Sequence, residues 1–395
     1  MAVAGITALG TTYDLPNYTG ELFALTPADT PFLSAIGGLS AGRQTTSTEF
    51  EWQTYDLAIA GQNVALEGAD APALEGRTRA NVTNVVQIHH RAVGVSYTKL
   101  GAFGQKAGTN NAEPNPVVDE STWQVQQALK EMARDVDFSF IQGVYQRPSD
   151  NSTPRKTRGL LAAISTNKIA KETATSTGLS ASTDTISETT TARANGDKIV
   201  FTSVGASTTL VQGRVYFVVN KATDSFKVAL AAGGSAVTIG TATVSYRVPQ
   251  TADLSVDDVS ALLQSVYDNG GITEQATAAL VLNSSQKLAV SKAYASAYGK
   301  FHETSRNVGG VNVTTIETDF GVLNVMLERF MPQDTIAAVS LEQCAPVFLE
   351  IPGKGHMFQE PLAKTGAQEK TQIYGEVGLA YGSERSHGAI TGLKV

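Results

Sequence analysis

Residues 119–145, DESTWQVQQALKEMARDVDFSFIQGVY, constrain the fold most. Val125, Leu129, Met132, Val136, Phe140 and Val144 recur every three or four residues, as one face of an amphipathic helix requires. Asp119 is placed to cap it, and Gly143 and Pro148 mark its end. At this length the helix would span roughly 40 Å, well beyond the usual three or four turns. It must lie against a body large enough to bury its stripe, so its Met and aromatic positions are core rather than a cofactor cradle.

Upstream, EFEWQTYDL (49–57) alternates: Phe50 and Trp52 share one face, Glu49, Glu51 and Gln53 the other. A second strand is expected from about Asn81 to Thr98, after the polar stretch GQNVALEGADAPALEGR. Two strands joined by more than twenty such residues form a long hairpin that buries little apolar surface by itself and needs something to lie on. His89 and His90 are neighbours in the second strand, so their rings point to opposite faces and cannot share a metal. Apolar positions change phase here, from Val86 and Ile88 to Val93, Val95 and Tyr97, which predicts a bulge or a change of buried face. Before the hairpin, TPADTPFLSAIGG predicts a short helix with Asp29 or Thr30 as cap and Pro31 at its first position.

Beyond RGLLAAIST, twelve of the nineteen residues from Thr173 to Thr191 are Ser or Thr, a composition that reads as loop or linker. Short β runs follow at 198–203, 214–220, 225–230, 236–240 and 243–248, a small all-β module set into an otherwise mixed chain. SVDDVSALLQSVYDNGG then opens with a capping box, Ser255 to Asp258, and leads into strand TAALVLN and helix SQKLAVSKAYASA. The remainder is mostly strand. The fold class is α+β.

Chemical motifs do not accumulate. DFG at 319–321 lacks the companion loops of a kinase and reads as a hairpin turn between VNVTTIET and VLNVML. PGKGH lacks the spacing of a phosphate-cradling loop, and no GxSxG elbow occurs. The glycines of YGEVGLAYG mark close backbone approach within a strand. Cys344, the only cysteine, excludes an intrachain disulfide and reads as a small buried hydrophobe. A net charge of −7 supplies no general basic face for wrapping nucleic acid. Charged residues are only 17% of the chain, which suits a surface covered by other protein. No signal peptide or membrane span is evident. We expect no enzyme, cofactor or metal.

PADTPFLSAIG, EFEWQTYDL, the acidic VALEGADAP, the long helix, RGLLAAI, VLNSSQK and LAKTGAQEKTQIYGEVGLAYGSERSHGAITGL are together similar to the major head proteins of tailed bacteriophages related to phage SU ten. These are coat proteins of the Hong Kong 97 type. The resemblance follows one order through about 310 residues and leaves out the tract from about 167 to 250, which instead resembles small β modules of phage tail and fibre proteins. It implies an N-terminal arm at 1–45, an extended β-hairpin loop at 46–98, and a peripheral domain at 99–166 with a spine helix at 118–146. An inserted β-rich domain at 167–250, a mainly axial domain at 251–345 and C-terminal strands at 346–395 returning to the peripheral domain complete the layout.

The function so implied is the major capsid protein, a homo-oligomer of hexamers and pentamers forming an icosahedral head around double-stranded DNA, assembled in the bacterial cytoplasm and found in the virion. Portal and scaffold or decoration proteins would be partners, and DNA would lie inside without sequence-specific binding. The resemblance implies that the loop lies across a neighbouring subunit, with Phe50 and Trp52 as apolar anchors and Glu67, Asp70, Glu75, Arg77 and Arg79 as polar contacts. Some such shells are sealed by a lysine to asparagine bond whose lysine sits on this loop, but the first lysine here is Lys99, so no such mesh is expected. The chain runs from Met1 to Val395, from which we expect ordered termini and no removal of an N-terminal scaffolding segment. A tail or fibre protein and an encapsulin-like nanocompartment shell are the alternatives.

Overall fold

The computed structural model describes residues 25, 27–101, 119–271, 278–298 and 315–395. Most of the expected N-terminal arm and residues 311–314 of the VNVTTIET run lie outside these. The first elements are α1 (Pro31–Ala35), β1 (Arg43–Thr45), β2 (Glu49–Tyr55), β3 (Arg79–Val85), β4 (Gln87–Ser96), α2 (Tyr97–Gly101), α3 (Glu120–Gln142), α4 (Leu160–Ala163) and β5 (Lys168–Ala170). Next come β6 (Ala174–Ser182), β7 (Thr185–Ser187), β8 (Lys198–Ser203), β9 (Val215–Val219), β10 (Ser225–Ala229) and β11 (Ala242–Val248). The chain continues with α5 (Val256–Asp268), β12 (Ala278–Leu282), α6 (Ser284–Tyr298), β13 (Thr315–Thr318), β14 (Gly321–Leu327), β15 (Ile336–Ser340) and β16 (Ala345–Leu349). It ends with β17 (Met357–Pro361), β18 (Gln368–Ala380) and β19 (Gly388–Thr391).

Two compact units result, and the division falls inside α3 and β18. The smaller includes Ile88–Val136 and Glu350–Glu376. There β17 pairs antiparallel with β18, from Met357↔Gly375 to Pro361↔Thr371, and β4 also pairs with β18. Val125, Ala128 and Met132 of α3 pack with Ile373 into a small core, against Val93 and Met357. The helix is four residues shorter at its far end than 118–146, and Asp119 does cap it, accepting from the Ser121 and Thr122 amides at 3.0 and 3.4 Å. Ala128, not Leu129, occupies the inner stripe: Leu129 and Val144 are exposed, the latter because it lies past the helix end. Strand MFQEP, β17, has too little alternation to have been read from sequence.

The larger unit contains Thr30–Gln87, Asp137–Leu349 and Val377–Val395. Its main sheet has the order β13-β14-β12-β15-β19-β5, with β12 parallel to β14 and antiparallel to β15. All five residues of β12 are buried, as a central strand requires. Leu262, Leu263 and Val266 of α5 cover this sheet, and the Ser255–Asp258 capping box forms as expected. Thr318 pairs with Gly321, so DFG is the turn of a hairpin. β19 joins this sheet, so the C-terminal strands do not all run together with β18.

β6 to β11 close into a barrel of order β10-β7-β6-β11-β8-β9 with its own core, including Phe201, Tyr216, Phe226 and Tyr246. Most of the hydroxyl-rich tract from Thr173 to Thr191 is therefore strand, not linker: Thr175, Thr177, Ser180 and Ser182 are exposed while Ala181 points inward. Thr favours strands, and hydroxyls on the wet face alternate with small apolar residues on the dry one. Residues 236–240 form only an isolated bridge, Ala229↔Ala236. β5 pairs with β19, so the first residues of the 167–250 tract belong to the main sheet rather than the barrel.

Residue 30 does not cap α1 through its side chain. The Phe32 and Leu33 amides instead donate to Glu328 at 3.2 Å and Asp137 at 3.0 Å, two buried carboxyl groups far away in sequence. Burial pushes the Glu328 carboxyl above its ordinary range.

Candidate assembly interface

β2 and β3 pair antiparallel from Glu49↔Val85 to Tyr55↔Arg79. That register puts Phe50 opposite Asn84 and Trp52 opposite Val82, so these four side chains share the inward face. Phe50 and Trp52 stack with centroids 6.0 Å apart, and Trp52 meets the Tyr381 ring edge-on at 4.9 Å. The Trp52 indole N–H donates to the Gly382 carbonyl at 2.7 Å. Phe50 lies so close to Gly378 that a Cβ there would come within 2.7 Å of the ring. Both aromatics thus hold the hairpin root on their own chain, and each stays half-buried there.

Asn84, fully buried, was not singled out from sequence. Its amide donates to the carbonyls of Leu379 at 2.7 Å and Arg158 at 3.2 Å, and its oxygen accepts from the Arg158 amide at 2.8 Å. The available signal was its place on the Phe50 face of an alternating strand, where a polar side chain must be fully hydrogen-bonded.

Between the strands, residues 56–78 contain no helix or strand and are exposed throughout. Leu57, Ile59, Val64, Leu66 and Leu74 are each more than three-quarters exposed. A reverse turn marks the middle, the Ala69 amide donating to the Leu66 carbonyl at 3.1 Å, with Gly68 at φ +80° in the position where only glycine fits without strain. Glu67 and Asp70 flank that turn, exposed and outside every ion pair among the described residues. Glu75 pairs with Arg77 at 3.0 Å within the loop. Arg79 begins β3 and lines a cleft of about 550 Å³ at the hairpin root.

The histidines behave as the alternation demands. His89 is buried and His90 exposed, the latter 3.1 Å from the Gln372 side chain. The strand breaks at Val86, between β3 and β4, and buried positions thereafter are odd-numbered, so the phase change falls three residues earlier than the histidines. Burial lowers the His89 pKa to about 4, against the opposing pull of Asp135. Burial likewise pushes the Cys344 thiol up to about 12. Among the described residues no cluster of three or more His, Cys, Asp or Glu could hold a metal ion, and no helix is long and apolar enough to cross a membrane.

The profile of the SU10 major capsid protein family matches residues 5–394. The chain belongs to that family. Family membership makes it a major capsid protein of tailed bacteriophages, a structural and non-enzymatic component of the virion shell that acts as a homo-oligomer. The matched span includes the 167–250 tract, which the sequence resemblance had left out. The fold is of the Hong Kong 97 type. The cyanophage A-1(L) capsid asymmetric unit is similar over 96% of this chain and 96% of that one, at 10% identity and a TM-score of 0.54. The capsid of cyanophage P-SCSP1u is similar over 95% of this chain and 92% of that one, at 8% identity and a TM-score of 0.51. No curated protein matched in sequence. Of the readings the sequence left open, family membership selects the phage capsid over the fibre protein and the nanocompartment shell.

Proposed function

We propose that copies of this capsid protein close into hexamers and pentamers, and these into an icosahedral head around double-stranded DNA. Residues 1–45 would serve as N-terminal arm and 46–98 as extended loop. Residues 99–166, with α3 as spine, would form the peripheral domain, and 251–345 most of the axial domain. The observation that carries this reading is the loop. Five large apolar side chains between Leu57 and Leu74 have no cover among the described residues. Fully burying each contributes about 1.5–3 kcal/mol, an amount that offsets the ordering of an irregular segment only when a neighbour supplies the surface. A small contact repeated at every subunit then sums over a closed shell.

Glu67, Asp70 and Glu75, with Arg77 and Arg79, would meet polar groups of the neighbour, while Phe50 and Trp52 fix the root. A portal and a scaffold or decoration protein would complete the particle, assembled in the host cytoplasm. A net charge of −7 fits a wall that encloses DNA without gripping it by sequence. Reversing Glu67, Asp70 and Glu75 to Lys should leave a folded subunit by circular dichroism but abolish shells in negative-stain micrographs. Normal shells from that variant would refute the reading.

A further inference from the structure

The cleft at the loop root is framed by the end of β2, the start of β3, the stretch around Arg158 to Ser165 and the stretch from Tyr381 to Arg385. Its two acids are already engaged. Asp56 accepts from Arg385 at 3.0 and 3.2 Å. Glu384 accepts from the amides of Ser165 at 3.1 Å and Thr166 at 3.0 Å, and from the Thr166 hydroxyl. Its two other cations have no carboxylate among the described residues. Arg158 donates to the Tyr381 hydroxyl at 3.0 Å and lies 4.3 Å over the Tyr145 ring, while Arg79 is exposed and has no ion-pair partner among the described residues. The loop turn presents the converse, since Glu67 and Asp70 face solvent with no cation beside either among the described residues.

We propose that this cleft receives the loop turn of a second copy of the chain, Glu67 and Asp70 of one copy meeting Arg79 and Arg158 of the next. Ten residues lie between Asp56 and Glu67, and these eleven residue steps reach up to about 36 Å when extended, sufficient to cross onto an adjacent molecule. The contact is heterologous, turn of one copy to root of the next, so it propagates from copy to copy and forms a ring where the rotation between copies closes. Exposed apolar residues of the loop supply adhesion, and the charges select the register. The inference rests on the loop reading above and adds the receptor site.

Cysteine pairing tests it directly, because Cys344 is buried and contributes no background. In oxidised particles of the variant Ala69→Cys with Thr78→Cys, non-reducing gels should show a ladder of covalent multimers. Monomers alone would overturn the proposal, since a bond within one chain leaves the mass unchanged. In a parallel charge exchange, Arg79→Glu should lower particle yield about tenfold and Arg79→Glu with Asp70→Arg should restore most of it. An unchanged yield with Arg79→Glu, or no rescue by the second change, would also overturn it. The two readings separate cleanly: if reversing the loop acids blocks assembly while Arg79→Glu does not, the loop reading stands and the cleft falls.

Discussion

Asn84 and Gly378 show how single residues fix the loop. Asn84 satisfies two carbonyls and an amide of distant segments, and Gly378 leaves the space that the Phe50 ring fills, so the hairpin root has one seat on the body. Adding a methyl group in Gly378→Ala should displace Phe50. His89 contributes a pH dependence, in the same direction as His387, whose pKa burial also holds below its ordinary value. The His89 pKa is about 4 when folded, against about 6.5 in an unfolded chain, because burial disfavours the charged ring. An unfolded chain therefore binds the proton first: stability is level above about pH 6.5 and falls as pH drops toward about 4, by up to about 3 kcal/mol. Urea unfolding of the unassembled subunit at pH 7.5 and 4.5 should show that loss, and His89→Gln should shrink it. The opposed directions of His89 and His90 were legible from period-two alternation. Asn84 was not, because its partners lie 74 and 295 residues away.

Among the elements, the barrel is fixed rather than tethered. Arg247 on β11 forms a buried two-point ion pair with Asp334, at 2.5 and 2.6 Å, and donates to Thr335 at 2.6 Å. The Val215 amide donates to the Gln333 side chain at 2.9 Å, and the Gln333 amide to the Gly213 carbonyl at 2.9 Å. Arg247→Met would strand a buried carboxylate and should cost about 3–5 kcal/mol, whereas Arg247→Met with Asp334→Leu should recover most of it. Thermal unfolding of the three proteins checks this, and equal losses would show that the charges are not coupled. The β composition of the barrel was evident from runs such as RVYFVVN. Its first two strands were hidden by Ser and Thr, which occur in loops and on the wet face of strands alike.

For the whole molecule, 46–98 contains no lysine, so the loop has no side chain from which to form a lysine to asparagine bond. Boiled, denatured particles should run as one band near 41.5 kDa, and a ladder without added cysteines would show a covalent mesh by other residues. Native particles should also resist thiol reagents at Cys344 until unfolded, because its thiol is both buried and held protonated.

The amino-acid order by itself determined what local periodicity encodes: the long helix, the capping box before α5, the alternating hairpin strands, the turn at DFG and the lack of a lysine in the loop. These depend on neighbours within a few residues. Tertiary structure alone decided which distant groups meet: Glu328 and Asp137 with the Phe32 and Leu33 amides of α1, Arg247 with Asp334, and the aromatic pair seated on its own Gly378 and Gly382. It also decided that five apolar loop residues find no cover among the described residues. Alternation tells which way a side chain points, but only the folded chain tells whether anything is there to meet it.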